Sequence, residues 1–183
     1  MVKRYYRRRY RKKLMSRYFK TKLSCIDRVI LDDNDIKLAS TNGVNRNIRA
    51  YLTSCNEWGY LTKIFYSFKL TGILIETVPG VIATAVDSVP VFGGTYQLAL
   101  LPMGSDSNSP ALADANASLV LSPTQSQRKY ISFTGSLNGW LDIASIENNL
   151  VALLTVAATA LPQNTGLVWS IKLTFYVTFK TPK

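Results

Sequence analysis

A chain of 183 residues with 22 Lys+Arg against 11 Asp+Glu has a formal net charge of +11, and it contains no histidine. The missing imidazole removes the commonest general base, the Ser-His-Asp and Cys-His arrangements and most zinc sites. The length suits one well-cored domain with a short appendage, and no apolar run reaches the ~18 residues a membrane span needs.

The chain starts with "MVKRYYRRRYRKK". Residues 1–22 hold 11 basic side chains and no acidic one; the first carboxylate is Asp27. Taking those 11 from 22 leaves 11 basic and 11 acidic residues in 23–183, so the whole net charge lies in the leader. Two units follow: a cationic arm, residues 1–22, and a neutral, apolar domain, residues 23–183. Like charge at this density keeps the arm from collapsing by itself. Only Leu14 and Met15 interrupt the basic run, so a secretory signal is not expected. Arg9 to Lys13 leave no apolar face for a mitochondrial presequence.

The arm has the chemistry of a polyanion binder. Arginine grips phosphate through a planar fork, and each neutralised phosphate releases counterions, so binding is sequence-independent and salt-sensitive. Tyrosines among the charges can stack on unpaired bases, which favours single strands over duplex. The candidate nucleic-acid-binding residues are Lys3, Arg4, Tyr5, Tyr6, Arg7, Arg8, Arg9, Tyr10, Arg11, Lys12, Lys13, Arg17, Tyr18, Lys20 and Lys22. The same segment can serve nuclear import.

After the arm, "SCIDRVIL" and "DIKLA" read as strands around a turn at Asp32-Asp33-Asn34. Asp32, Asp33 and Asp35 lack the spacing and distal glutamate of a calcium loop. "TSCNEWGYLTKIF" has Ser54 and Glu57 at capping-box spacing and predicts a short helix. "YSFKLTGILIETVPG" alternates from Tyr66 to Leu70 and then shifts phase at Gly72, which predicts a β-bulge, with Pro79-Gly80 as the strand's end. "TYQLALL", "SLVL", "KYISFTG" and "WLDIAS" are further short strands. Residues 103–118 are small, polar and turn-rich, a surface loop. "NLVALLTVAATAL" is rich in helix formers, but its β-branched residues and strand neighbours favour a strand. "VWSIKLTFYVTFK" alternates over its whole length and predicts a long half-buried strand. Many short strands between Gly, Pro and Asn make an all-β antiparallel sandwich or barrel.

No P-loop or dinucleotide fingerprint is present, and Cys25 and Cys55 are too few and too far apart for a zinc finger. Asp142 and Glu147 could form a carboxylate pair, but nothing places them in a cleft. The chain is therefore read as a non-enzyme with no catalytic residue, metal or cofactor. The two cysteines are expected reduced and structural.

With these features in place, the chain resembles the capsid proteins of small circular Rep-encoding single-stranded DNA viruses, the circovirus-like group. The leader matches their Arg/Tyr-rich arm, "FKLTGILIETVPG" is similar to an early strand of theirs, and "IKLTFYVTFK" to their last strand. The resemblance implies a single jelly-roll sandwich of two four-stranded antiparallel sheets. It also implies a 60-subunit T=1 icosahedral shell with the arm turned inward onto single-stranded DNA. Virion and host nucleus would be its locations and a nuclear import receptor a partner, with no membrane. Two alternatives share part of the pattern. The coat protein of a single-stranded RNA satellite virus also pairs a basic arm with one jelly roll, although arginine with tyrosine favours DNA over RNA. A cellular OB-like single-strand-binding barrel usually places its charge on its sheet, whereas here the charge is in the tail.

Overall fold

The computed structural model describes residues 18–32, 36–38, 45–83, 94–102, 118–134, 138–146, 152–162 and 165–180. Among the described residues, ten strands and two short helices follow in chain order: β1 (Tyr18–Leu31), β2 (Ile36–Leu38), β3 (Asn45–Asn47), α1 (Ile48–Thr53), α2 (Trp58–Leu61), β4 (Ser67–Ala83), β5 (Tyr96–Pro102), β6 (Ser118–Leu121), β7 (Gln127–Ser132), β8 (Leu141–Asp142), β9 (Ala152–Ala158) and β10 (Thr165–Lys180).

The pairings nest. β1 pairs with β10, β3 with β9, β4 with β7 and β5 with β6, all antiparallel. This is one long hairpin rolled up, so that the order β1-β10-β4-β7 faces the order β3-β9-β5-β6. The architecture is a single jelly roll. The expected two sheets of four gain two short additions, β2 on the edge of β1 and β8 on the start of β4.

Period-two patterning builds the core. Along β10, Trp169, Ile171, Leu173, Phe175, Val177 and Phe179 are buried, while Lys172 and Lys180 on the other face are exposed. Leu23, Val29 and Leu31 of β1 and Ile73 and Ile75 of β4 fill the same layer, against Tyr96, Leu98, Leu154 and Val156 of the second sheet. Trp169 crosses the layer: its ring packs 5.4 Å from that of Tyr96, and its Nε1 donates to the Ser122 carbonyl at 2.8 Å.

Gly72 sits at the bulge its phase shift predicts. Tyr176 pairs with Gly72 and Val177 with Leu70, so Thr71 is the extra residue. A Cβ at Gly72 would lie on the Tyr130 phenol, 2.5 Å from its Cζ, and 2.7 Å from the Ile131 carbonyl oxygen. The phenol could swing aside but the Ile131 carbonyl is backbone, so β4 and β7 would have to separate. Gly72→Ala is therefore expected to cost about 1–3 kcal/mol, the range for overpacking, read as a lowered thermal midpoint. An unchanged midpoint would show that the close approach carries no constraint.

Several expectations are corrected. β4 does not stop at Pro79-Gly80 but continues to Ala83, pairing Pro79 with Trp169. Its partner β7 ends at the Thr77–Gln127 pair, so beyond it β4 is an edge on that side, where a residue without N–H is tolerated. The Ser54–Glu57 capping box does not form. Asn47 caps α1 by accepting from the Arg49 N–H at 2.9 Å, Ser54 closes that helix, and Glu57 precedes α2 without a side-chain cap bond. "WLDIAS" shrinks to β8 because Asp142 accepts from the Ala144 N–H at 3.0 Å and turns the chain. "NLVALLTVAATAL" does form a strand, β9. The turn at residues 33–35 and the loop at 103–117 lie outside the described residues.

Candidate nucleic-acid interface

Of the arm residues, Lys3, Arg4, Tyr5, Tyr6, Arg7, Arg8, Arg9, Tyr10, Arg11, Lys12, Lys13 and Arg17 lie outside the described residues. Tyr18, Lys20 and Lys22 lie in β1, so the boundary drawn after residue 22 falls inside a strand. All three are at even positions of β1, opposite in face to the buried Leu23, Val29 and Leu31.

That outer face of the first sheet gathers cations from four strands. Lys20 and Lys69 flank Thr178, and Tyr18 is opposite Lys180. Lys22 holds its Nζ 5.1 Å from the centroid of the Tyr176 ring, on which Tyr130 rests edge-on at 5.4 Å. One end of the face carries a stacked pair, Tyr18 on Trp140, with centroids 5.5 Å apart. Further along come Arg28, Lys172 and Arg128, which among the described side chains makes seven basic groups against two carboxylates, Glu76 and Asp142. Glu76 is 3.6 Å from Arg128 and 3.9 Å from Lys172, exposed pairs whose net worth is at most about 1 kcal/mol.

Net charge hid this face. Residues 23–183 balance to zero, but the balance comes from segregation: Asp32 follows the end of β1 and Glu57 precedes α2, while sheet positions take lysine and arginine. A readable signal existed in the last strand, where Lys172 and Lys180 occupy the polar phase of the alternation.

A second polar feature lies at the side of the sandwich. β2 covers β1 only at Val29 to Leu31, and beside Ser24 to Asp27 is a cavity of about 430 Å³ closed by Arg46 and Tyr51. Asp27 accepts from Arg46 Nη1 at 3.0 Å and from the Arg28 N–H at 2.8 Å. The Arg46 guanidinium lies 4.4 Å over the Tyr51 ring. Burial and the Asp27 carboxylate push the Tyr51 hydroxyl far above its ordinary value. Cys25 and Cys55 are free thiols, and Cys55 Sγ donates to the Tyr51 carbonyl at 3.4 Å. The interaction of the two thiols lowers Cys25 and, together with burial, raises Cys55. The Arg46–Asp27 ion pair joins the two sheets here as a structural staple, while Arg46 Nε and the Tyr51 hydroxyl are buried without a hydrogen-bond partner among the described residues. Among the described residues no His/Cys/Asp/Glu group could hold a metal ion, and no helix is long and apolar enough to cross a membrane.

No family model matches the chain, and no curated protein sequence matches it. Solved structures do. The native virion of Kashmir bee virus at acidic pH matches with a TM-score of 0.60 at 11% identity, over 89% of this chain and 74% of that one. Mud crab tombus-like virus matches with a TM-score of 0.57 at 10% identity, over 91% and 82%. The 60-mer of the BFDV capsid protein matches with a TM-score of 0.50 at 14% identity, over 91% and 96%. Viruses of several kinds share the fold at these identities, so the likeness carries architecture and leaves genome type open. The chain has the jelly-roll fold of viral capsid proteins.

Proposed function

We propose that this chain is a viral capsid protein that assembles into a small icosahedral shell and packages single-stranded nucleic acid through its N-terminal arm. The observation that carries the reading is the junction at Tyr18, where a segment of uncompensated cations runs directly into the first strand of a jelly roll. A neutral apolar body suits contacts with copies of itself, and a like-fold chain, the BFDV capsid protein, forms a 60-mer. A T=1 shell of 60 copies would be the corresponding assembly of this chain. Arginine interleaved with tyrosine favours single-stranded DNA over RNA, and together with the three stretches similar to circovirus-like capsid proteins it supports a circular DNA genome. Assembly would then take place in the host nucleus, with the arm read by an import receptor, and the product would be the virion.

The test is to treat purified particles with nuclease, extract the protected nucleic acid and digest it with DNase and with RNase. DNase-sensitive, RNase-resistant single strands are expected. RNase-sensitive strands would replace the circovirus-like reading with that of an RNA virus coat. Particles without nucleic acid would remove the packaging role.

A further inference from the structure

The geometry points to a second nucleic-acid-binding surface: the outer face of the first sheet, around Lys20, Lys69 and Lys180, continues the arm's grip on the packaged strand. The inference rests on the nucleic-acid reading of the arm and adds residues of the folded body to it.

Three features select the occupant. Charge comes first. Lys20 and Lys69 lie on strands either side of β10, about 10 Å apart at the usual strand spacing, and Lys180 is one pleat away. Asp142 is the one carboxylate at this end of the face among the described residues, so the three lysines outnumber it. Phosphates of a polyanion are the complementary partner, and each one neutralised releases counterions.

The second feature is aromatic. Tyr130 is 50% exposed on this face beside Tyr176, and Tyr18 and Trp140 are 47% and 45% exposed at its end. Rings among cations stack on unpaired bases, which selects a single strand over an acidic protein surface.

The third feature is position and contrast. β1 begins at Tyr18, at the end where the lysines cluster, so the arm joins the body beside this face. The outer face of the second sheet is different: Ala99, Leu101, Thr155 and Ala157 on it are buried, so among the described residues the cation-bearing sheet face open to solvent is that of the first sheet.

The experiment uses the full chain and an oligo(dT) strand, with affinity measured across a salt series for the parent, for Lys69→Gln/Lys180→Gln and for the control Lys63→Gln. Lys63 is an exposed cation beside Tyr60, in the turn between α2 and β4 and on no strand of the sheet. Both positions of the double variant lie outside residues 1–22, so the arm is intact in it. The log–log salt slope is expected to fall by up to about 1.4 in the double variant, ~0.7 for each phosphate of a single strand that is no longer neutralised, and to stay unchanged in Lys63→Gln. A double variant with the parent's slope and affinity overturns the sheet-face proposal and leaves the arm reading standing. A parent chain with no salt-dependent binding at all overturns both. Lys180 and Lys63 are exposed and Lys69 is half-buried, and an unchanged thermal midpoint verifies that the Lys→Gln changes leave the fold intact.

Discussion

Removing residues 1–17 is expected to abolish nucleic-acid packaging and leave the jelly roll folded. Nine of the 11 arm cations lie in that segment, Lys3 to Arg17, and the first residue of β1 is Tyr18. The cut therefore takes most of the proposed phosphate-binding groups and none of the β1–β10 ladder. Weak binding through the sheet face should persist at low salt and vanish as salt rises. A cut after residue 22 is a different experiment. It removes Tyr18 to Lys22, which pair with Tyr176 to Lys180, and it removes the Phe19 ring stacked on Phe65 at 5.6 Å. That stack alone is worth about 1 kcal/mol beyond its buried area, so the longer deletion should melt at a lower temperature than the shorter. Circular dichroism and the absorbance ratio of purified assemblies read the two effects separately. Unchanged nucleic-acid content after deletion of residues 1–17 would show that the arm is not the binder.

The second large effect is on stability. Arg46→Ala is expected to destabilise the fold by about 3–5 kcal/mol, because it leaves the Asp27 carboxylate buried without its cation. The side chains are 16% and 6% exposed, so solvent offers little compensation. Asp27 is on β1 and Arg46 on β3, so the pair joins the two sheets at the cavity's mouth, where β2 no longer covers β1. Against a typical total of about 5–15 kcal/mol, such a loss is a large fraction of the stability. Asp27→Asn combined with Arg46→Met should cost less than the sum of the single changes, since the double variant strands no charge. Denaturant melts of the four proteins measure this. Additive losses under about 1 kcal/mol each would show that the pair is solvated and does not staple the sheets.

Some of this was legible in the residues, and the reasons differ by element. β10 and β4 could be read because one face of each is buried, which forces strict alternation on their sequences. The bulge could be read because only glycine fits so close to β7. β9 was ambiguous for a physical reason: Ala152 to Ala158 lie in the middle of the second sheet, between β3 and β5, and tertiary pairing overrides the helix preference of leucine and alanine. β3 could not be read, since Asn45, Arg46 and Asn47 have no apolar pattern and are held as a short edge strand by β9. The helix caps were misplaced because Asn47 and Ser54 both suit a cap and only the fold decides between them. For the candidate site, the arm was legible as a run of like charge. The sheet face was not, because its lysines come from β1, β4 and β10, far apart in sequence, and acids elsewhere cancel them in any count.

Self-assembly of the folded body is the property a capsid protein must have. Sedimentation velocity of the full-length protein, with electron microscopy of the same sample, measures it across a range of salt and protein concentrations. Closed shells of a single diameter are predicted, with nucleic acid protected inside them. A monomer at every salt and protein concentration would contradict the capsid reading.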